Sequence, residues 1–277
     1  MDIYRHIARI LSREPSPRID ENLALLAPVW EALRKGTLRA ARRDGTAWVV
    51  EQEVKQVILW AFRAGMLVDV GEGGAVFSFT DKNTIPVQRF RAADGRRIVP
   101  GGTTIRDGAY IAPGVIVMPP SYINIGAYVD EGTLIDSHVL VGSCAQIGKR
   151  VHVSAGVQVG GVLEPIGAMP VVIEDDALIG GNCGIYEGTI VRRGAVIGTG
   201  VILTGSTPVY DLVREVVYRK TPEHSLEIPE YAVVVQGTRP ARGPFAESHG
   251  IHIYTPVIVK YRDERTDAAT ALEEALR

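Results

Sequence analysis

The chain is short of the residues that several common protein classes are built from. Its 277 residues include only 2 cysteines, Cys144 and Cys183, too few for a disulfide framework. Both fall among small residues of the pattern described below, which predicts reduced thiols in a core. No apolar run is long enough to span a bilayer, and the opening Met-Asp-Ile-Tyr-Arg-His carries charge where a secretory signal needs an apolar stretch. Neither sign of charge dominates: 30 Lys and Arg against 32 Asp and Glu leave −2. There is no arginine-rich stripe with interleaved aromatics, so nucleic acid is not the expected partner. A membrane is not expected either. These absences predict a cytoplasmic protein with an ordinary core, and the length suffices to bury one.

What the chain does have is a repeat. From Ile105 an aliphatic residue recurs at every sixth position: Ile105, Ile111, Val117, Ile123, Val129, Ile135, Val141, Ile147, Val153, Val159. A second series keeps the step through Ile173, Ile179, Ile185, Val191, Ile197 and Leu203. Four residues after most of these stands a small or β-branched residue, such as Ala109, Ser121, Thr133, Ala177 or Cys183. A helix of 3.6 residues per turn would scatter such a stripe around its surface. A plain strand would alternate every two residues. A hexad fits a triangular coil: each side is a short strand, each corner is a turn served by Gly, Asp or Asn, and eighteen residues make one rung. Rungs stacked at roughly 4.8 Å would give about five turns.

The two series are separated by fourteen residues between Val159 and Ile173, one hexad plus eight. A loop within residues 161–170 (GVLEPIGAMP) is therefore extruded while the inner register continues. A long loop that breaks a strict repeat suggests function; the alternative is a tolerated surface insertion.

The flanks read differently. Residues 3–11, 20–33 and 51–63 have helical spacing, and 38–50 around Asp44-Gly45 reads as a hairpin. We expect an α-rich N-terminal domain over 1–95, forming a small cap. The coil follows over 96–207, and strands with a final helix at 266–276 form a small β/α extension over 208–277. The fold class is mainly β.

The coil as a whole resembles the hexapeptide-repeat proteins, which implies a left-handed parallel β-helix. Residues 118–165 go further. The blocks YINIGAYVDEGT, VGSCAQIGK and GGVLEP closely resemble the tetrahydrodipicolinate N-succinyltransferase family, as do the α-rich start and VIVK at 257–260. The resemblance implies a lysine- or diaminopimelate-pathway acyltransferase that uses a coenzyme A thioester, with no metal. It implies a homotrimer whose active sites lie between subunits, and an amino-dicarboxylate acceptor, open-chain 2-amino-6-oxopimelate. The family's aspartate falls at Asp136. By stacking, Met118 and Ser154 share its face, although an unaided reading leaves a solvated surface Asp equally open. At an ordinary pKa near 3.9 an Asp is a weak base toward an ammonium near 10, so its first expected role is to orient the amine. Arg97 in GRRIVP matches the arginine for a substrate carboxylate, with Arg96 as the alternative. Gly161 and Glu164 of the extruded loop are expected at the substrate. Gly198, Thr199, Gly200, Thr204 and Lys260 are expected at coenzyme A, although Lys260 is as easily read as a solvated charge.

The chain also departs from the pattern. Where the family reads A-R-S-E after the position of Ile179, this sequence has Gly181, Asn182, Cys183 and Gly184, losing a carboxylate and a cation. Ser137-His138 replaces Thr-Trp, so His138 becomes a candidate proton acceptor, provided that the strand continues through both 136 and 138. The lost cation suggests a donor without a carboxylate, acetyl-CoA in place of succinyl-CoA, as in a paralogue recruited to tabtoxin-type β-lactam biosynthesis. Three rival classes fit these residues less well. A metal-dependent prism needs stacked histidines, but His138 and His152 are fourteen apart, not eighteen. An ice-binding or other non-catalytic scaffold would carry outward threonine ladders. A sugar-nucleotide acyltransferase fits the fold but not the VDEGTLID and GGVLEP blocks.

Overall fold

Sixteen inward aliphatics need a cylinder with no room for water, and the computed structural model has one. It describes residues 2–71, 78–263 and 267–268. Every aliphatic of both hexad series is at most 3 % exposed. Each belongs to a two-residue strand, and the strands stack in parallel into three sides of a left-handed prism. Side I carries Arg97–Ile98, Ile116–Val117, Leu134–Ile135, His152–Val153, Leu178–Ile179 and Val196–Ile197. Side II carries the strands from Thr104–Ile105 to Ile202–Leu203, and side III those from Tyr110–Ile111 onward. The extruded loop leaves the register intact, since Ile147 pairs with Ile173 across it.

The coil continues past Leu203. After a long excursion, Glu227–Ile228 stacks on Ile190–Val191, and Val233–Val234 on Val196–Ile197, restoring the six-residue step between Ile228 and Val234. At the other end Ile98 lies over Val117, one residue out of strict register.

Corners are where the simple expectation fell short. Glycine, Asp176 and Asn182 take positive φ there, but so do His138, Cys144, Arg150 and Glu187. A left-handed L-residue costs roughly 1–2 kcal/mol, less than is gained by keeping the next aliphatic in the core. Small residues just before each strand tuck under the corner. Where they carry a hydroxyl it bonds buried backbone: Ser121 Oγ donates to the carbonyls of Met118 and Asp136, and Thr133 Oγ1 to that of Gly148. Cys183 occupies such a position inside the prism. Cys144 does not; it is a corner residue that faces the helices. Both are buried free thiols.

Three helices, α1 (Ile3–Leu11), α2 (Ile19–Arg34) and α3 (Gln52–Ala64), pack around Ile7, Leu26, Trp30, Val57 and Trp60. Ile125 and Cys144 of the prism complete this second core. The helical layer therefore flanks the corner between sides II and III instead of closing an end, as a cap would. Arg34 grips Asp107 with both carboxylate oxygens at 2.8 Å. The hairpin Ala41–Asp44 and Ala47–Val50 forms as expected. A second one, Leu67–Val70 with Phe79–Lys82, gave no clear sequence signal because its strands are mostly exposed. Phe90, Tyr218 and Tyr261 pack against the prism core from the segments that precede and follow it. Above the prism runs a long hairpin, Ala232–Pro240 with His252–Tyr261. Apart from residues 267–268, the helix expected at 266–276 lies outside the described residues.

Candidate functional site

On side I, the residue after each inward aliphatic begins the turn into side II and faces outward. Backbone bonds link these residues into one column. The amides of Met118, Asp136, Ser154, Gly180 and Gly198 donate in turn to the carbonyls of Ile135, Val153, Ile179, Ile197 and Val234, at 2.7–3.0 Å. Asp136 thus stands between Met118 and Ser154, as the eighteen-residue count predicts. Above them the column narrows to two glycines, because a Cβ on Gly180 would come within 2.5 Å of the Thr199 amide.

Asp136 is half-buried. One carboxylate oxygen accepts the Ser137 amide at 2.7 Å and fixes the side chain beside its own turn; the other takes no bond from the described residues. Ser121 Oγ braces the Asp136 carbonyl from beneath at 2.9 Å. The result is an acceptor held still with one free face.

Arg97 starts the neighbouring column of the same side, below Ile116 and Leu134. Its guanidinium is exposed and has no partner among the described residues. Arg96 is committed elsewhere: it donates to the carbonyls of Ile111 and Asp94 and lies over Phe90. Of the two arginines, Arg97 is the one free to meet a ligand. Lys260 ends the same column at the top, pairing with Val233.

His138 is placed differently. The strand ends at Ile135, and His138 sits at the corner with φ 60°, its amide bonded to the Pro120 carbonyl. The continuous strand that would point it with Asp136 is absent. It lines a shallow cavity of about 430 Å³ on side II, with Thr104, Tyr122 and Gln158.

The extruded loop is docked on its own helical layer. Gly161 lies so close to Gly142 that a Cβ on Gly142 would meet its nitrogen at 2.1 Å. Val162 and Leu163 turn inward, and buried Lys55 of α3 donates to the carbonyls of Pro165 and Ala168 at 3.2 and 2.8 Å. Burial holds the Lys55 ammonium below its usual range. Glu164 alone among these residues presents a charged, exposed side chain.

Of the remaining expected contacts, Gly198, Thr199 and Gly200 lie at the turn that tops the Asp136 column. Gln236 seals this turn, its amide nitrogen donating to the Thr199 carbonyl at 3.1 Å. Thr204 is separated from them by the length of side II and bonds Thr207 at 2.6 Å. Tyr254 reaches across to the amide and carbonyl of Ile202. Sequence reasoning missed Gln236 and Tyr254, since the hairpin that brings them over the last rung is a long-range contact.

The Gly181 to Gly184 turn has a local explanation. Asn182 takes φ 57° at the corner, and its side chain closes over Gly156. Gly184 is covered by Tyr186: a Cβ on Gly184 would lie 2.4 Å from the tyrosine ring, and one on Gly160 2.9 Å from it. An aromatic ring laid over strand glycines replaces the packing that they lack. Two glycines beside one tyrosine were the available signal. Among the described residues no three His, Cys, Asp or Glu side chains gather as a metal site would require, and no helix is long and apolar enough to cross a membrane.

Comparison with known proteins agrees with this architecture. The family described as hexapeptide repeat of succinyl-transferase matches residues 170–205. The 2,3,4,5-tetrahydropyridine-2,6-dicarboxylate N-succinyltransferase of Rhodopseudomonas palustris (strain BisA53) is 45% identical over 256 residues, covering 89% of this chain and 87% of its own. The enzymes of the same name from Paramagnetospirillum magneticum and Bradyrhizobium diazoefficiens are also 45% identical, over 89% and 90% of this chain and 87% and 88% of theirs. A Campylobacter jejuni crystal structure, provisionally described as a 2,3,4,5-tetrahydropyridine-2-carboxylate N-succinyltransferase, superposes with a TM-score of 0.51 at 14% identity. It covers 93% of this chain and 64% of that one, a likeness of fold.

Proposed function

This chain belongs to the tetrahydrodipicolinate N-succinyltransferase family, and from that premise we propose how its side I residues carry the reaction. The activity is acyl transfer from a coenzyme A thioester to the amine of a tetrahydrodipicolinate-like amino-dicarboxylate. The amine nitrogen attacks the thioester carbon, a tetrahedral oxyanion forms, the C–S bond breaks, and the nitrogen loses a proton as coenzyme A leaves as thiol. Holding two reactants in line supplies much of such a rate.

The observation that carries the assignment is the column itself. Asp136 offers one unclaimed carboxylate oxygen while the other is pinned by the Ser137 amide, so it can accept an N–H of the amine and fix its lone pair toward the thioester. Arg97, exposed and without a partner on the same side, takes an acceptor carboxylate. Met118 and Ser154 flank the amine. Thioester and pantetheine run along the Gly198–Gly200 turn, with Lys260 near the donor's charged end. The family's trimeric assembly would close this open face with a neighbouring prism, which also brings Gly161 and Glu164 of one copy toward a site. Cytoplasm suits a protein with two reduced thiols.

A second reading concerns the donor. Tyr186 fills the space above Gly184, and Asn182 supplies no cation, so a short uncharged acyl group fits this turn better than a succinyl group. That favours acetyl-CoA, as in a paralogue serving tabtoxin-type biosynthesis. Mass spectrometry of products formed from acetyl-CoA and succinyl-CoA with one acceptor tests both readings. N-acylated product from either thioester supports the first; no product from either refutes it; a strong succinyl preference refutes the second.

A further inference from the structure

A second polar cleft lies one full side of the prism away from Asp136, where side III turns into side I under the Ala41–Asp44 and Ala47–Val50 hairpin. It encloses about 190 Å³, and Arg39, Arg43, Trp48, Asp130, Glu174 and Asp175 line it. At roughly 30 Å³ per water this is space for about six waters, the scale of a small metabolite.

Its centre is a guanidinium with unused donors. Arg39 lies 3.6 Å from the Tyr128 ring centroid and 5.6 Å from that of Trp48. Tyr128 itself packs at a tilt against Tyr110, and a Cβ on Gly36, at φ 68°, would come within 3.1 Å of both rings. The Arg39 Nε donates to Gln146 Oε1 at 2.9 Å. That oxygen is turned toward Arg39 because the Gln146 amide nitrogen donates to the carbonyls of Gly126, Cys144 and Ala145. Gln146 is only 1 % exposed. Arg39 forms no ion pair, and its two terminal nitrogens make no hydrogen bond among the described residues. A mostly buried arginine held by aromatic faces and a fixed amide, with its fork unfilled, is prepared for a carboxylate.

The acidic side chains decide what accompanies that carboxylate. Glu174 is fully used by Trp48 Nε1, Arg192, the Arg193 amide and, at 3.6 Å, Arg43, so it anchors the wall. Asp175 and Asp130 each spend one oxygen on a backbone amide, those of Lys149 and Glu131. Among the described residues Asp175 keeps its second oxygen unbonded, and that of Asp130 meets only the Tyr128 hydroxyl at 3.4 Å. A simple anion would face these carboxylates as well as Arg39, Arg43 and Arg193. A zwitterion matches both charges.

We propose that this cleft binds a small α-amino acid, its carboxylate on the Arg39 fork and its ammonium toward Asp130 and Asp175. The site requires neither coenzyme A nor the acceptor, so its test is independent of the reaction assignment. Thermal melts and calorimetry of the whole chain with glycine, L-alanine and L-lysine are compared with acetate, methylammonium and inorganic phosphate. The amino acids should raise the melting temperature saturably by about 2–4 °C, and acetate and methylammonium by less than half as much. Arg39→Met should abolish the shift. Arg43→Met, at a half-exposed position where the loss is one 3.6 Å pairing with Glu174, should weaken it at least threefold in apparent affinity. Asp136→Asn should retain it. An equal shift from acetate or phosphate, loss of the shift in Asp136→Asn, retention in both arginine variants, or no response to any amino acid would each overturn the proposal.

Discussion

Asp136 and Gly184 show how differently single positions can be argued. Asp136 faces outward from a rung whose inward residue, Ile135, is fully buried, so its carboxylate can be changed without opening the core. Asp136→Asn should cut turnover by about 100-fold or more with a melting temperature within about 2 °C of the parent. Unchanged turnover would remove it from the mechanism. At Gly184 the neighbour decides. Because the Tyr186 ring occupies the path of any side chain there, Gly184→Glu alone should destabilise by about 1–3 kcal/mol. Adding Tyr186→Ala should recover part of that loss, a coupling that a double-mutant cycle of denaturant melts would measure. Additive losses would mean that the ring is not the obstacle. The carboxylate missing from this turn is therefore not a simple vacancy.

Among the elements, the extruded loop and the rungs have separate supports. The loop is tied to α3 by Lys55, a buried cation whose only hydrogen-bond partners among the described residues are two loop carbonyls. Lys55→Met removes the tie but also a poorly solvated charge, so global stability should change little. Limited proteolysis within residues 161–170 should then quicken severalfold, and an unaltered cleavage rate would show that Leu163 and Val162 suffice to hold the loop. A rung is less forgiving. Ile135→Ala should cost about 2–5 kcal/mol in denaturant melts, because the stacked Val117 and Val153 cannot collapse into the space without breaking their own ladders. A loss under 1 kcal/mol would contradict a tightly packed prism. The helices 3–11, 20–33 and 51–63 were legible to within a residue or two because their apolar spacing is local. The exposed Leu67–Val70 hairpin was not, because without a buried face it has no periodicity to read.

For the whole molecule, burial sets the response to alkaline pH. Burial pushes the Cys144 thiol up to about 12 and that of Cys183 to about 11, and Tyr128 likewise to about 12. An unfolded thiol begins to ionise near pH 9, so above that the unfolded chain releases protons that the folded chain keeps. Their contribution is complete below pH 9 and is lost as pH climbs toward 11–12. Lys55, held low by burial, works in the opposite direction as it approaches its unfolded pKa, but it is one group against several. Melting temperature should decline from pH 9 to 11, and Cys183→Ala should flatten the decline; an identical slope in that variant would exclude the thiol as a cause. The same burial should leave both cysteines unreactive to a thiol reagent until the chain unfolds.

The hexad by itself determined the prism, its three-sided register, the eight-residue extrusion and the column that joins Met118, Asp136 and Ser154. Each follows from a fixed step along the chain: once eighteen residues make a rung, stacking is arithmetic. Tertiary structure decided what that step cannot reach. It committed Arg96 to backbone carbonyls and left Arg97 free, turned His138 around a corner away from Asp136, and laid the helical layer along an edge. It drew Tyr186 over two glycines and brought Gln236, Tyr254 and the Arg39 cleft together from segments without the repeat. These outcomes depend on which distant side chains compete for the same space or the same hydrogen bond, and no local periodicity encodes that competition.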